Sequence, residues 1–232
     1  MNIYILTSDK NIHIVEGLQY CINKYWTYNP SVKILGYKEP PFNLDDNFEF
    51  ISLGKDRGAD YIGEDLINFF NSIEDKHFIF SVDDFFPIRH INTFLLGYLK
   101  NKIIDENISR IALTDQVSNK PHSLVMEDLY HKHKIIEMGQ SADYRKSAVW
   151  SIWSKDYFLK YMSNRMNLWE WELDTRCKND GHRIVGTDKK YAIQACHLYK
   201  RGNLKADWFK DSESSDTMIA EDQLAITDII HQ

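Results

Sequence analysis

Apolar residues switch between a period of two and a period near 3.6 several times along the first half of the chain, and that alternation constrains the fold more than any other feature. Residues 2–6 alternate and stop at Thr7-Ser8-Asp9, after which Ile14, Leu18, Cys21, Ile22 and Tyr25 recur at helical spacing over about 11–26. Residues 32–36 and 48–53 read as two further strands, and Ile62, Leu66, Phe69, Phe70 and Ile73 mark a second helix. The clearest strand is 77–82, a run that ends on Asp83-Asp84-Phe85-Phe86-Pro87; a helix over about 88–104 and a strand over about 109–113 follow. Repeated β-loop-α units predict an α/β fold with a mostly parallel central sheet covered by helices.

The second half is less regular. Residues 124–139 are polar and rich in histidine, 148–153 read as a strand, and helices are expected over 155–162 and from Leu168 to about Lys178. Residues 182–186 and 191–199 are strand candidates, and an acidic, Ser-rich stretch from Ser212 leads into a terminal helix expected over 219–230. No repeat and no Gly- or Ser-rich linker interrupts the chain. The expectation is a single domain of 232 residues, with a first half over about 1–115, a second half with a different job over about 116–210 and a tail over 211–232.

With 34 acidic against 28 basic residues and a net charge of −6, a general polyanion binder is disfavoured, because such proteins carry a basic footprint. Aromatic residues make up 13% of the chain, enough for a core and for a pocket that stacks on flat ligands. Cys21, Cys177 and Cys196 are odd in number and far apart, which argues against disulfides and structural zinc and for small buried side chains. The first residues lack the basic lead-in of a signal peptide, and no apolar stretch of about 18 residues occurs. The expected location is the cytoplasm, or the host cytoplasm for a viral chain.

In open parallel sheets ligands bind outside the carboxyl ends of the strands, where Asp83 and Asp84 fall. Two adjacent carboxylates there can hold a hard divalent cation, or can simply cap the next helix. His131-Lys132-His133 reads as an acceptor-binding loop or a solvated one, the latter being the commoner case. Lys200, Arg201 and Lys205, around Gly202, read as charges that close on a diphosphate or as a charged hairpin.

The segment Phe78-Ile79-Phe80-Ser81-Val82-Asp83-Asp84-Phe85-Phe86 resembles the strand and metal-binding loop of glycosyltransferases with the GT-A fold. It is most similar to a bacterial and viral group in which an aliphatic strand ends in Asp-Asp-Phe/Tyr-Phe. Tyr144-Arg145-Lys146-Ser147 through Trp150 and Trp153, then Asn167-Leu168-Trp169-Glu170-Trp171-Glu172, resembles that group's later strand, helix and Asn-Pro-Trp-x-Phe-Glu segment. Tyr61 stands where the group has Trp, Leu168 where it has Pro, Trp171 where it has Phe, and Val82 where a strict Asp-x-Asp motif has its first acid.

The resemblance implies a GT-A-like three-layer α/β/α sandwich, with a Rossmann-like nucleotide-binding half and an acceptor half. It also implies transfer of a hexose or pentose from a nucleotide-diphosphate-sugar, a UDP-sugar being favoured, to a hydroxyl of a glycan or glycolipid precursor. Thr7, Ser8, Asp9, Lys55, Asp56, Arg57 and Tyr61 are the candidates for the nucleotide side. Asp84, with Asp83, would hold Mn²⁺ or Mg²⁺ against the diphosphate, and His197 would serve as a late ligand. An inverting transfer needs a carboxylate base, for which Glu172 or else Glu170 is the candidate, with Trp169 and Trp171 packed around it to raise its pKa. The rivals are nucleotidyl transfer, which needs a Gly-rich loop that Thr7-Ser8-Asp9-Lys10-Asn11 lacks, transfer to a modified DNA base, and a non-catalytic nucleotide-sugar-binding protein.

Overall fold

A computed structural model describes residues 1–128, 133–200, 203–204, 218 and 220–230. In chain order the elements that matter here are strand β1 (Ile3–Leu6), helix α1 (Val15–Tyr25), β2 (Val32–Gly36), β3 (Phe48–Ser52), α2 (Ile62–Ser72), β4 (His77–Val82), β5 (Phe85–Pro87), α3 (Thr93–Asp105) and β6 (Arg110–Ala112). There follow β7 (His122–Asp128), β8 (His133–Met138), β9 (Ser151–Ser154), α4 (Lys155–Lys160), α5 (Leu168–Leu173), β10 (Ile184–Asp188), β11 (Ala195–His197) and α6 (Ala220–Ile230). The class is α/β, as the alternation requires.

The chain divides into two compact units. The terminal unit takes 2–52, 81–93 and the residues from Ile193 onward; the inserted unit takes 53–80 and 94–192, together with Met1. In the terminal unit β1, β2 and β3 run parallel, with Ile3 opposite Val32 and Ile34 opposite Phe50. Leu18, Cys21, Ile22 and Tyr25 form the buried stripe of α1. Helix α6 packs on the same helix where Gly17 leaves room: a Cβ there would stand 3.3 Å from Phe86 and 3.4 Å from Ile226.

In the inserted unit the strands run in the order β4-β9-β6-β10-β8-β7. The β6–β10 pair is parallel; β4–β9, β6–β9, β10–β8 and β7–β8 are antiparallel. Its core is aromatic. Phe70 stacks on Phe78 with centroids 4.3 Å apart, and Phe158 meets Phe80, Trp153 and Trp171. Such rings bury large areas and add edge-to-face attraction of about 1 kcal/mol per pair.

Several sequence expectations shift. Most of the polar stretch 124–139 belongs to the antiparallel strands β7 and β8, with a register shift between Leu124 and Met126; Leu124 and Val125 are exposed, so no two-sided apolar run announces the strand. The helix expected from Ile88 begins at Thr93, because 85–87 pair with β11 and the Ile88 amide donates to Gln194. The helix expected to reach Lys178 stops at Leu173: Asp174 leaves the helical backbone and its side chain accepts from the Arg176 amide. The strand expected over 148–153 starts at Ser151, and that over 191–199 shrinks to β11 and a short pairing at Tyr199–Lys200. His131, Lys132, Arg201, Gly202, Lys205 and the tail over 212–217 lie outside the described residues.

Candidate functional site

The two aspartates at the end of β4 do different things. Asp83 is buried and accepts hydrogen bonds from Thr7 Oγ1 at 2.6 Å, from Asn11 Nδ2 at 3.4 Å and from the Ser8 amide, while its own amide donates to Leu6. Burial pushes its carboxyl up to about 7 against these donors, and the neighbouring Asp84 adds to the rise. Asp83 therefore ties the loop after β1 to the loop after β4. Thr7 is buried in that contact; Ser8 and Asp9 are exposed.

Asp84 points to β11. Its Oδ2 lies 2.6 Å from His197 Nε2, and its carbonyl accepts from the Leu198 amide. His197 is fixed by the antiparallel pairing of β5 with β11 and by the ring of Phe85, stacked on it at 4.8 Å and 8°. The other carboxylate oxygen, Asp84 Oδ1, is buried and has no hydrogen-bond partner among the described residues. Buried polar oxygens are nearly always satisfied, so an orphan beside a histidine nitrogen fits a cation. Carboxylate plus imidazole suits Mn²⁺ better than thiolate would, and the adjacent Cys196 is buried. Among the described residues no group of three His, Cys, Asp or Glu converges on a metal position. The structure thus brings Asp84 and His197 together and turns Asp83 away to Thr7.

Lys55, Asp56, Arg57 and Tyr61 belong to the inserted unit. Lys55 is exposed. Asp56 accepts from the Gly58 amide at 2.7 Å, closing a turn in which Gly58 has φ of 95°, a value that favours glycine. Arg57 pairs with Glu64 at 3.2 Å and with Asp65, and its guanidinium lies 4.6 Å over the Tyr61 ring. The arginine is already committed to partners within its own unit.

Helix α5 carries the candidate bases. Asn167 and Glu170 form a capping box, each side chain bonded to the other's backbone amide, at 2.8 and 3.0 Å. Glu170 is thereby occupied as a helix cap. Glu172 Oε1 accepts from the Ala148 amide at 2.5 Å. The expectation that both tryptophans frame the carboxylates fails: Trp171 is buried against Trp153 and Phe158, whereas Trp169 is 63% exposed, on the opposite side of the helix.

Around α5 lies a set of buried charges that sequence reasoning missed. Lys146, with its side chain fully buried, meets Asp174 at 3.2 Å and lies over the Tyr161 and Trp171 rings. Arg145 reaches Asp180 at 3.0 Å and the carbonyls of Gly139, Cys177 and His182. Arg110 sits in β6 between buried Ile108 and Ile111; a lone cation inside an apolar strand was the available signal.

No family model and no curated protein matches the chain. Among solved structures, GalNAc-T7 with UDP, GalNAc and Mn²⁺ aligns at a TM-score of 0.53 and 5% identity, over 98% of this chain and 47% of that one. The likeness is one of fold. The mannosyltransferase PcManGT from Pyrobaculum calidifontis, in complex with GDP-Man and Mn²⁺, aligns at 0.49 and 10% identity over 87% of this chain and 57% of that one. A UDP-glucose pyrophosphorylase complexed with UDP-glucose aligns at 0.46 and 11% identity over 84% and 92%. The chain thus spans about half the length of the two transferases. The fold is GT-A-like.

Proposed function

We propose that the chain is a glycosyltransferase that moves a sugar from a nucleotide-diphosphate-sugar, UDP-linked in the favoured case, to a hydroxyl acceptor on a glycan or glycolipid precursor. The observation that carries this reading is the Asp84–His197 pair at the end of β4, with Asp84 Oδ1 buried and unpartnered among the described residues. Asp84 and His197 are the residues that would hold Mn²⁺ or Mg²⁺; when bound, the cation supplies charge neutralisation at the diphosphate. Asp83 keeps the loop after β1 in place through Thr7, so that Ser8 and Asp9 are presented to solvent for the nucleotide.

Glu172 is the base. It takes the proton of the acceptor hydroxyl as that oxygen bonds to the anomeric carbon. The bond from that carbon to the diphosphate oxygen breaks, and its electron pair leaves with the nucleoside diphosphate, so a single displacement inverts the anomeric centre. The Ala148 amide on Oε1 holds the carboxylate in one orientation. Nucleotidyl transfer is disfavoured by the loop after β1, a glycine-free turn closed by the Asn11 amide on the Ser8 carbonyl rather than a cradle of free amides.

A thermal-shift series with UDP, GDP and their sugar conjugates, each with and without Mn²⁺, tests the reading. A rise that requires both nucleotide and Mn²⁺ supports it; no rise with any pair overturns it. Among the described residues no helix is long and apolar enough to cross a membrane.

A further inference from the structure

Strand β6 carries a fully buried cation. Arg110 is fully buried; its Nε donates to Ser151 Oγ at 3.0 Å, and its Nη1 donates to the carbonyls of Tyr144 at 3.3 Å and Arg145 at 3.2 Å. Its guanidinium lies 5.1 Å over the Trp153 ring. Tyr144 has a φ of 58°, unusual for a residue with a side chain, so the fork clamps a strained turn. Four residues after that turn, the Ala148 amide donates to Glu172. Arg110 and Glu172 therefore grip the same short segment, 144–148, at its two ends.

All of Arg110's hydrogen bonds go to neutral groups, and its Nη2 has no partner among the described residues. The titratable groups that face it are Glu172 on α5, Tyr157 on α4, Arg145 and Cys177, and Glu172 exerts the largest charge effect of the four. Burial pushes the guanidinium down to about 10, which leaves it charged at neutral pH. An uncompensated buried cation is costly, and a nearby carboxylate offsets that cost.

We propose that Arg110 is a positioning residue for Glu172, a fixed buried cation that holds the 144–148 segment against the carboxylate and keeps that carboxylate ionised. This rests on the assignment of Glu172 as the base of the transfer. It also revises how that base is tuned. The sequence pointed to desolvation by flanking tryptophans; the structure puts Trp169 in solvent and supplies a guanidinium that favours the anion. Through Ser151, which pairs with Ala112 of β6, the cation is tied to the sheet rather than to a loop.

The test reads Glu172 itself, in the whole chain labelled with ¹³C at glutamate carboxyls, as a titration followed by NMR; the Glu172 signal is the one lost in E172Q. R110Q is expected to raise the Glu172 midpoint, as loss of a nearby opposite charge does. R110K, which keeps the charge and loses the fork, is expected to restore most of that shift. An unchanged midpoint in folded R110Q, with native near-ultraviolet circular dichroism, overturns the proposal. If R110Q does not fold, the native chain decides: a Glu172 midpoint at or above the ordinary glutamate value of about 4.3 overturns it, and one below supports it. Because the readout is not turnover, a shifted midpoint in a chain that transfers no sugar upholds the Arg110–Glu172 relationship and removes only the base assignment.

Discussion

Asp84 Oδ2 and His197 Nε2 stand 2.6 Å apart although 113 positions separate them in the chain. D84N preserves shape and removes the charge that a cation needs. Calorimetric binding of UDP in the presence of Mn²⁺ is expected to weaken by roughly 100-fold, at the upper end of what disturbed metal sites lose. Equal affinity in native and D84N protein would refute the metal assignment.

E172Q leaves the Asp84–His197 pair untouched and cannot accept a proton. Transfer from a nucleotide-sugar that binds is expected to fall by about 10²–10⁴-fold while nucleotide affinity stays unchanged. A variant with native turnover would show that another group is the base.

Asp174 gives a pH signature. Burial alone would raise its carboxyl, but hydrogen bonds from Arg176 and the charge of Lys146 bring it down to about 2. The folded value is depressed, so the stabilisation is fully present above the ordinary aspartate value of about 3.9 and is lost as pH falls toward 2. D174N should cost about 2 kcal/mol at pH 7 and almost nothing near pH 2. Melting temperatures of the two proteins that differ by the same amount across that range would contradict the account.

The last helix is held by one buried carboxylate. Asp222 accepts from Lys24, from Tyr25 and from Tyr20, the last at 2.8 Å. D222A strands the Tyr25 hydroxyl and should cost about 1–3 kcal/mol, with amide exchange accelerating first in α6. Uniform acceleration over the whole terminal unit would instead indicate global unfolding.

Gly63 in α2 leaves no room for a methyl group. A Cβ would fall 2.3 Å from the Ser163 carbonyl oxygen and 2.9 Å from that of Met166, which also accepts from the Gly63 amide. G63A is expected to destabilise by about 1–3 kcal/mol in urea unfolding, since backbone cannot retreat as a side chain can.

What the sequence disclosed followed from local rules. Strands β1 to β4 and helices α1 and α2 were legible because continuous apolar runs and helical spacing leave few alternatives. The paired strands β7 and β8 were not, since a strand in which the consecutive Leu124 and Val125 are both exposed carries no clean alternation. Asp83 and Asp84 looked equivalent on paper. They occupy the turn between β4 and β5, where no strand alternation assigns directions, and only the tertiary contacts of Asp83 with Thr7 and of Asp84 with His197 tell them apart. Glu170 and Glu172 were likewise indistinguishable until the capping box claimed the first. Arg110 stood out only as a lone cation in an apolar run; what it touches is a property of the assembled core, not of its neighbours in the chain.

The zipper that joins Phe85–Pro87 to Ala195–His197 has an architectural consequence. It closes a long loop of chain, and a register with Phe85 opposite His197 is what lets Asp84 meet the imidazole. Closing such a loop costs entropy that grows only with the logarithm of its length. The entropy of bringing Asp84 to His197 therefore depends only weakly on how many residues lie between them.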